Sequence, residues 1–206
     1  MISRSTEPRS RRRLPLEVVV AIILVAVAVA VAVAGAGEPG ERMVERRVFT
    51  MGSVLEMVVW AADRKTALEA SQAAVAAIDA AELRLSTWRS DSELARLNDS
   101  PPGVWEPLSA ELASDLQSSL DWWRATGGAF DPGVGSLVRA WDLRGRGKVP
   151  EPAEILKAHA ASGAGRLEIA EGRARRSLPG LILEEGGFGK GVALRDGASA
   201  ARAAGA

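Results

Sequence analysis

The stretch LILEEGGFGKGVALRDG, Leu181 to Gly197, places an apolar run and two carboxylates directly ahead of four glycines gathered around one lysine. A Walker phosphate loop needs a glycine, four residues and then Gly-Lys-Ser/Thr. Here Gly189-Lys190 is followed by Gly191, and Glu184 stands at the earlier glycine's position, so the loop is not of that type. The G-x-G-x-x-G spacing of a dinucleotide fingerprint also fails, and no βαβ unit surrounds it. What remains is physical. Gly186, Gly187, Gly189 and Gly191 let a backbone pass close to a ligand, and the amides opening the next helix favour an anion. Lys190 adds a positive charge, while Glu184 and Glu185 repel a phosphate unless a divalent cation lies between them. A metal-bridged pyrophosphate is one reading; a glycine-rich turn with a solvated lysine is the other. Lysine is scarce, with 4 residues against 22 arginines.

Composition restricts what such a loop can serve. A chain of 206 residues with 47 % hydrophobic content buries one core and is too short for two full domains. The first 34 residues hold five arginines and two acids, leaving 21 basic and 24 acidic side chains beyond them. That balance argues against a nucleic-acid surface. The absence of cysteine excludes disulfides, thiol catalysis and a lipid on an N-terminal sulfur.

Arg9, Arg11, Arg12 and Arg13 precede an unbroken apolar run of 17 residues, Val18 to Ala34. This exceeds a signal-peptide core of roughly 7 to 15 residues and meets the short end of the roughly 17 to 25 that span a bilayer. The expectation is a cytoplasmic arginine-rich tail and signal anchor over residues 1–36, with the rest of the chain on the far side of the membrane. AVA at Ala32 to Ala34 has the small-residue form of a cleavage site, and SRRRLPL at Ser10 to Leu16 loosely has the form of a twin-arginine export signal. A linker over 37–46 and a single α+β domain over 47–206 complete the expected organisation.

Within that domain, RRVFTMGSVLEMVVWAA predicts strand interrupted at Gly52. Asp63 caps a predicted helix from Arg64 to about Arg84. Ser90 and Glu93 have capping-box spacing ahead of a short helix. Ser109 opens a helix whose stripe is Leu112, Leu116, Leu120 and Trp123, ended by Gly127 and Gly128. A helix over Pro150 to Ala161 and short strands at Leu167 to Ile169 and Leu178 to Leu183 lead into the glycine loop. A second glycine cluster, TGGAFDPGVGSLVRAW, Thr126 to Trp141, reads either as a helix C-cap running into an Asp-Pro turn or as a second ligand loop.

From Met51 to about Ala198 the sequence resembles the FAD:protein FMN transferases, formerly described as thiamine-biosynthesis lipoproteins. MGS at Met51 to Ser53 is similar to that family's Met-Gly-Thr entry. ELRLSTWRSDSELARLN resembles its Glu-x-x-Leu-Ser-Thr-aromatic segment with the Asp-Ser-Glu and Asn that follow. GGAFDPGVGSLVRAWDL and LEEGGFGKGVAL resemble its Gly-Ala-Phe-Asp segment and its Gly-Lys-Gly turn. The resemblance implies a mixed α/β domain of the FMN-transferase type, acting outside the cytoplasm. It implies transfer of FMN from FAD to a threonine or serine hydroxyl of an acceptor flavoprotein of a membrane respiratory complex, with AMP released and Mg2+ required. Carried over, the FAD contacts are Met51, Trp88, Ala129, Phe130, Asp131, Glu184 and Lys190, and the Gly187 carbonyl faces the magnesium. Trp88 as a flavin or adenine neighbour competes with plain core packing.

The sequence departs from the family in three ways. The first is Glu184, where aspartate is usual; the second lies after Gly191, where Val192 replaces an aromatic and Arg195-Asp196 inverts the usual pair. The third is a missing stretch after Ala206, including a His-x-x-Asp-Pro segment and a late Asp/Thr cluster that holds magnesium. The expectation is therefore a FAD:protein FMN transferase domain that is C-terminally incomplete and that, as this 206-residue chain, does not catalyse transfer even if it binds flavin. A membrane-anchored flavin-binding module and an exported solute-binding domain unrelated to flavin are the alternatives. His159, the lone histidine, reads as structural or solvated.

Overall fold

The computed structural model of this chain describes residues 42–206. The expected anchor helix over 1–36 and most of the linker lie outside the described residues. Among the described residues no helix is long and apolar enough to cross a membrane.

Two strands, β1 (Met43–Thr50) and β2 (Ser53–Trp60), pair antiparallel in register from Met43 opposite Trp60 to Thr50 opposite Ser53. β1 thus begins inside the stretch read as linker. Met51 and Gly52 form the two-residue turn, with φ of 50° and 67°, the signs a type I′ hairpin demands. A methionine in this region is strained, and Glu82 holds it there, its Oε2 accepting from the Met51 amide at 3.1 Å. The inward side chains of the hairpin, among them Val44 and Val59, pack toward the first helix, while Phe49, Val54, Val58 and Trp60 are exposed on its outer face.

Helix α1 (Arg64–Leu85) starts where Asp63 accepts from the Thr66 amide at 2.9 Å. Its buried face is mostly small along its length, Ala67, Ala70, Ser71, Ala74, Ile78 and Ala81, before it ends on the buried Leu85. Those residues admit the last helix, α6 (Gly189–Ala203), whose buried positions Gly189, Ala193, Gly197 and Ala201 recur every fourth residue. A Cβ on Gly197 would stand 3.0 Å from Ile78 and 3.3 Å from the Ala74 carbonyl oxygen, so these two helices meet almost backbone to backbone.

A leucine core fills the space beyond the end of α1. Helix α2 (Glu93–Asp99) contributes Leu94 and Leu97, and helix α3 (Ala110–Ala125) contributes Leu112, Leu116 and Leu120. Ser109 caps α3 as the sequence predicts, but α2 is capped by Ser92, not Ser90. Ser92 is buried and also donates to the Ser86 carbonyl at 2.6 Å, a tie to α1 that the exposed Ser90 does not make. Two short helices follow, α4 (Gly135–Ala140) and α5 (Pro152–Ala160), the latter carrying the exposed His159. The second sheet is antiparallel in the order β3 (Glu106–Pro107), β5 (Arg173–Arg176), β4 (Leu167–Ala170).

The strand expected at Leu178 to Leu183 does not form. Leu181, Ile182 and Leu183 are buried, but none belongs to a sheet. Their backbone groups pair individually. The Leu183 amide donates to Asn98 Oδ1 at 2.8 Å, and Asn98 Nδ2 donates to the Leu183 carbonyl at 2.9 Å. Gly135 N donates to the Ile182 carbonyl, Arg176 Nη1 to the Leu181 carbonyl, and Glu184 N to the Pro132 carbonyl. An asparagine side chain thus replaces a neighbouring strand, and the exposed apolar edge that a lone strand would create is absent from this run.

Candidate functional site

The hairpin turn, the end of α1 and the glycine loop converge on a cavity of about 590 Å3. Met51, Glu82, Trp88, Glu185, Gly186 and Lys190 line it. The volume falls within the range usual for small-molecule sites, roughly 300 to 1,000 Å3. Phe188 ends the loop and α6 begins at Gly189 with no side-chain cap; the Gly189 amide donates to the Glu185 carbonyl at 2.6 Å, which leaves the amides of Lys190 and Gly191 as the unpartnered donors of the first turn, at the positive end of the helix dipole. Lys190, exposed in that same turn, carries the one full positive charge among the lining residues. Glu82 and Glu185 line the same cavity. Glu82 holds the hairpin turn, accepting from Thr50 Oγ1 at 3.1 Å as well as from Met51. Glu185 is buried and accepts a very short hydrogen bond from Thr87 Oγ1.

Trp88 is 69 % exposed, which removes core packing as its role. It is held from one side: the Arg144 guanidinium lies 4.8 Å from the indole ring centre. Arg144 is itself fixed, donating to the Thr87 carbonyl at 2.5 Å, to Thr87 Oγ1 and to Glu184 Oε2 at 2.6 Å. Glu184 therefore sits in an ion pair beside Trp88, in a cleft of about 230 Å3 that shares Trp88 with the main cavity.

The second glycine cluster is structural at its acid. Asp131 Oδ1 accepts from the amides of Gly133 at 2.7 Å and Ala164 at 2.9 Å, closing the Asp-Pro turn against the loop that precedes β4. Only glycine fits at 133, where a Cβ would come within 2.6 Å of the Ala164 nitrogen. Phe130 from this cluster does reach the glycine loop, since a Cβ on Gly187 would meet its ring at 3.0 Å. Of the expected site residues, then, Met51, Trp88 and Lys190 line one cavity. Phe130 and Gly187 touch at its margin, and Glu184 lies beyond Trp88. Ala129 is exposed, and neither it nor Asp131 lines the cavity.

No group of three His, Asp or Glu side chains converges on a point among the described residues. Glu184 is engaged by Arg144, Glu185 by Thr87, and one oxygen of Asp131 by two amides. These carboxylates do not compose a magnesium site between them. The inverted pair Arg195-Asp196 has a structural role. Arg84 bridges buried Asp115 and Asp196 at 2.9 and 2.8 Å, and Arg195 bridges the same two acids at 2.9 and 2.8 Å, linking α1, α3 and α6.

The sequence profile of the ApbE family matches residues 51–206. The chain belongs to the ApbE family. It is 31 % identical over 162 residues to the FAD:protein FMN transferase of Salmonella typhimurium, an alignment covering 75 % of this chain and 46 % of that protein. The fold superposes on the flavinyl transferase ApbE of Pseudomonas stutzeri in its apo form with a TM-score of 0.71 at 25 % identity, covering 79 % of this chain and 54 % of that one. The ApbE protein of Thermotoga maritima gives a TM-score of 0.72 at 25 % identity over 79 % of this chain and 53 % of that one. The chain therefore spans about half the length of the relatives it matches, and the mixed α/β class expected from the sequence is the ApbE one.

Sequence reasoning missed three contributors to the site. Glu82 is the first residue of the Glu-x-x-Leu-Ser-Thr-aromatic segment and was legible as a candidate there. Thr87 lies within the same segment. Arg144 gave no signal, because its partners are 57 and 40 residues away in sequence.

Proposed function

We propose that this chain carries the FAD-holding part of a FAD:protein FMN transferase, an enzyme that moves FMN from FAD to a threonine or serine hydroxyl of an acceptor protein and releases AMP. The observation that carries this reading is the cavity in which Lys190 and the uncapped start of α6 face the exposed indole of Trp88. An anion pole beside an aromatic plane suits a molecule that joins a pyrophosphate to planar rings. In this reading Lys190 and the helix amides hold the pyrophosphate, and Trp88, braced by Arg144, offers its free face to a ring. Glu82 keeps Met51 in its strained turn at the cavity wall. Phosphoryl transfer depends mainly on such placement and on charge compensation. Magnesium dependence belongs to the proposal through the family resemblance, and the described carboxylates do not build the ion's site.

The proposal includes placement of the domain outside the cytoplasm, held to the membrane by the apolar run over residues 18–34, and an acceptor flavoprotein of a membrane respiratory complex as partner. Incubation with FAD, Mg2+ and an acceptor bearing the target threonine separates two readings: an acceptor heavier by one FMN, with an equal amount of AMP, is the outcome of the transferase and would overturn the expectation that this 206-residue chain does not transfer. FAD bound without AMP release would favour the second reading, a module that holds flavin without transferring it, which the engagement of Glu184 by Arg144, of Glu185 by Thr87 and of one Asp131 oxygen by two amides supports.

A further inference from the structure

Beside the flavin cavity runs a larger groove of about 870 Å3. Its floor includes Leu178 and Ile182, and its rims carry Arg139, Lys148, Lys157 and one acid, Glu154. Two of the chain's 4 lysines stand here. Lys148 is paired with Glu154 at 3.2 Å, while Arg139 and Lys157 form no ion pair among the described residues. Arg139 also adds to the positive field around the buried guanidinium of Arg176, whose Nε has no hydrogen-bond partner among the described residues.

The groove adjoins the site through shared walls. Arg139 and Ile182 line both the groove and the Glu184 cleft, and Trp88 lines both that cleft and the flavin cavity. Trp141, Leu143, Val149 and Leu156 are exposed on the loop and helix that form this side of the molecule. Large exposed apolar side chains next to charged rims are the composition of a protein-binding surface.

We propose that this groove docks an extended acidic segment of the acceptor polypeptide and leads it toward the flavin cavity. The inference rests on the transferase reading for the identity of the partner. The chemistry selects a peptide over a nucleotide. Neither helix beside the groove offers a free start to a phosphate: Glu154 of α5 accepts from the Glu151 amide at 3.2 Å, and α4, whose second residue Ser136 lines the groove and donates to the Gly180 carbonyl, is only six residues long. The cations are instead separate side chains along an apolar floor, which matches carboxylates spaced along an extended chain more closely than one phosphate.

The test uses the 206-residue chain in a non-ionic detergent with a fluorescein-labelled synthetic peptide of Asp-Gly-Ala repeats, followed by fluorescence polarisation. Peptides of Ser-Gly-Ala and Lys-Gly-Ala repeats serve as controls, and FAD affinity is measured in parallel. The Asp peptide should bind, more weakly as salt is raised, and the two controls should not. The Lys148→Glu/Lys157→Glu double substitution should weaken binding by about tenfold or more with FAD affinity unchanged, and Glu154→Gln should tighten it. Equal binding by the double variant, equal binding of the Ser peptide, or displacement of the Asp peptide by AMP would overturn the groove assignment. Failure of the wild-type chain to bind FAD, with peptide discrimination intact, would instead remove the transferase reading and leave the groove's charge preference standing.

Discussion

Replacing Asn98 with alanine tests how the glycine loop is held in place. The apolar run ahead of that loop has no neighbouring strand, and Asn98 satisfies both backbone groups of Leu183, a residue with no exposure. Asn98→Ala strands one buried N–H and one buried C=O. Each unmade bond costs about 1 to 3 kcal/mol, so the full loss is about 2 to 6 kcal/mol. Water entering the space left by the amide restores part of this, which places the expected destabilisation at about 2 to 4 kcal/mol. That is a large share of a typical domain stability of about 5 to 15 kcal/mol. Urea denaturation followed by circular dichroism reads it as a lower midpoint at unchanged slope. Asn98→Asp is the control. It keeps an acceptor for the Leu183 amide but sets a charged oxygen against the Leu183 carbonyl, so it should be at least as damaging at neutral pH and recover in part on acidification. If both variants stay within about 0.5 kcal/mol of the wild type, the range of an inconsequential surface change, Asn98 does not hold the run and the account of the loop is wrong.

Three further outcomes are expected. Gly197→Val should destabilise the chain by about 1 to 3 kcal/mol in the same urea assay, because the added methyls enter a contact already at 3.0 Å from Ile78. The Asp196 carboxyl lies below its ordinary value: burial pushes it up, but hydrogen bonds from Arg84 and Arg195 outweigh that. A carboxyl lowered on folding contributes stability that is present above its unfolded value, about 3.9, and is lost as pH falls through the lower folded value. The stability gap between the wild type and an Asp196→Asn variant should therefore narrow as pH drops below about 4, and a gap that is constant with pH would contradict the network's role. Trp88→Ala should weaken FAD binding by about 0.5 to 1.5 kcal/mol while leaving the urea midpoint unchanged, since the side chain is exposed.

Much of this architecture is local and was legible for that reason. The Asp63 cap and the Ser109 cap are each fixed by residues within three or four positions of one another and form as read, and the strand interruption read at Gly52 is the Met51-Gly52 turn. The choice between Ser90 and Ser92 could not be read, because a contact from Ser92 back to Ser86 decides it. Strand β5, Arg-Ala-Arg-Arg, shows no apolar alternation to mark it; Ala174 and Arg176 face inward, and the arginine is buried by donating to the Leu181 and Ser100 carbonyls. Leu181 to Leu183 looked like a strand because burial on all sides produces the same apolar run whether the partner is a strand or an asparagine. In the site, residues in the glycine loop and the Ser-Thr-Trp segment were readable from motif. Arg144, which joins those two segments, was not, since its position is set by the path of the loop after α4.

The central claim is that Lys190 and the start of α6 hold the pyrophosphate of FAD. Equilibrium titration of the 206-residue chain with FAD, followed by quenching of flavin fluorescence, tests it most directly. Saturable binding is predicted, with Lys190→Ala weakening it by about 1 to 3 kcal/mol, or about 5- to 150-fold in Kd, through loss of a charge-assisted contact. No saturable binding by the wild type, or equal affinity in the Lys190→Ala variant, would contradict the assignment of this cavity to FAD.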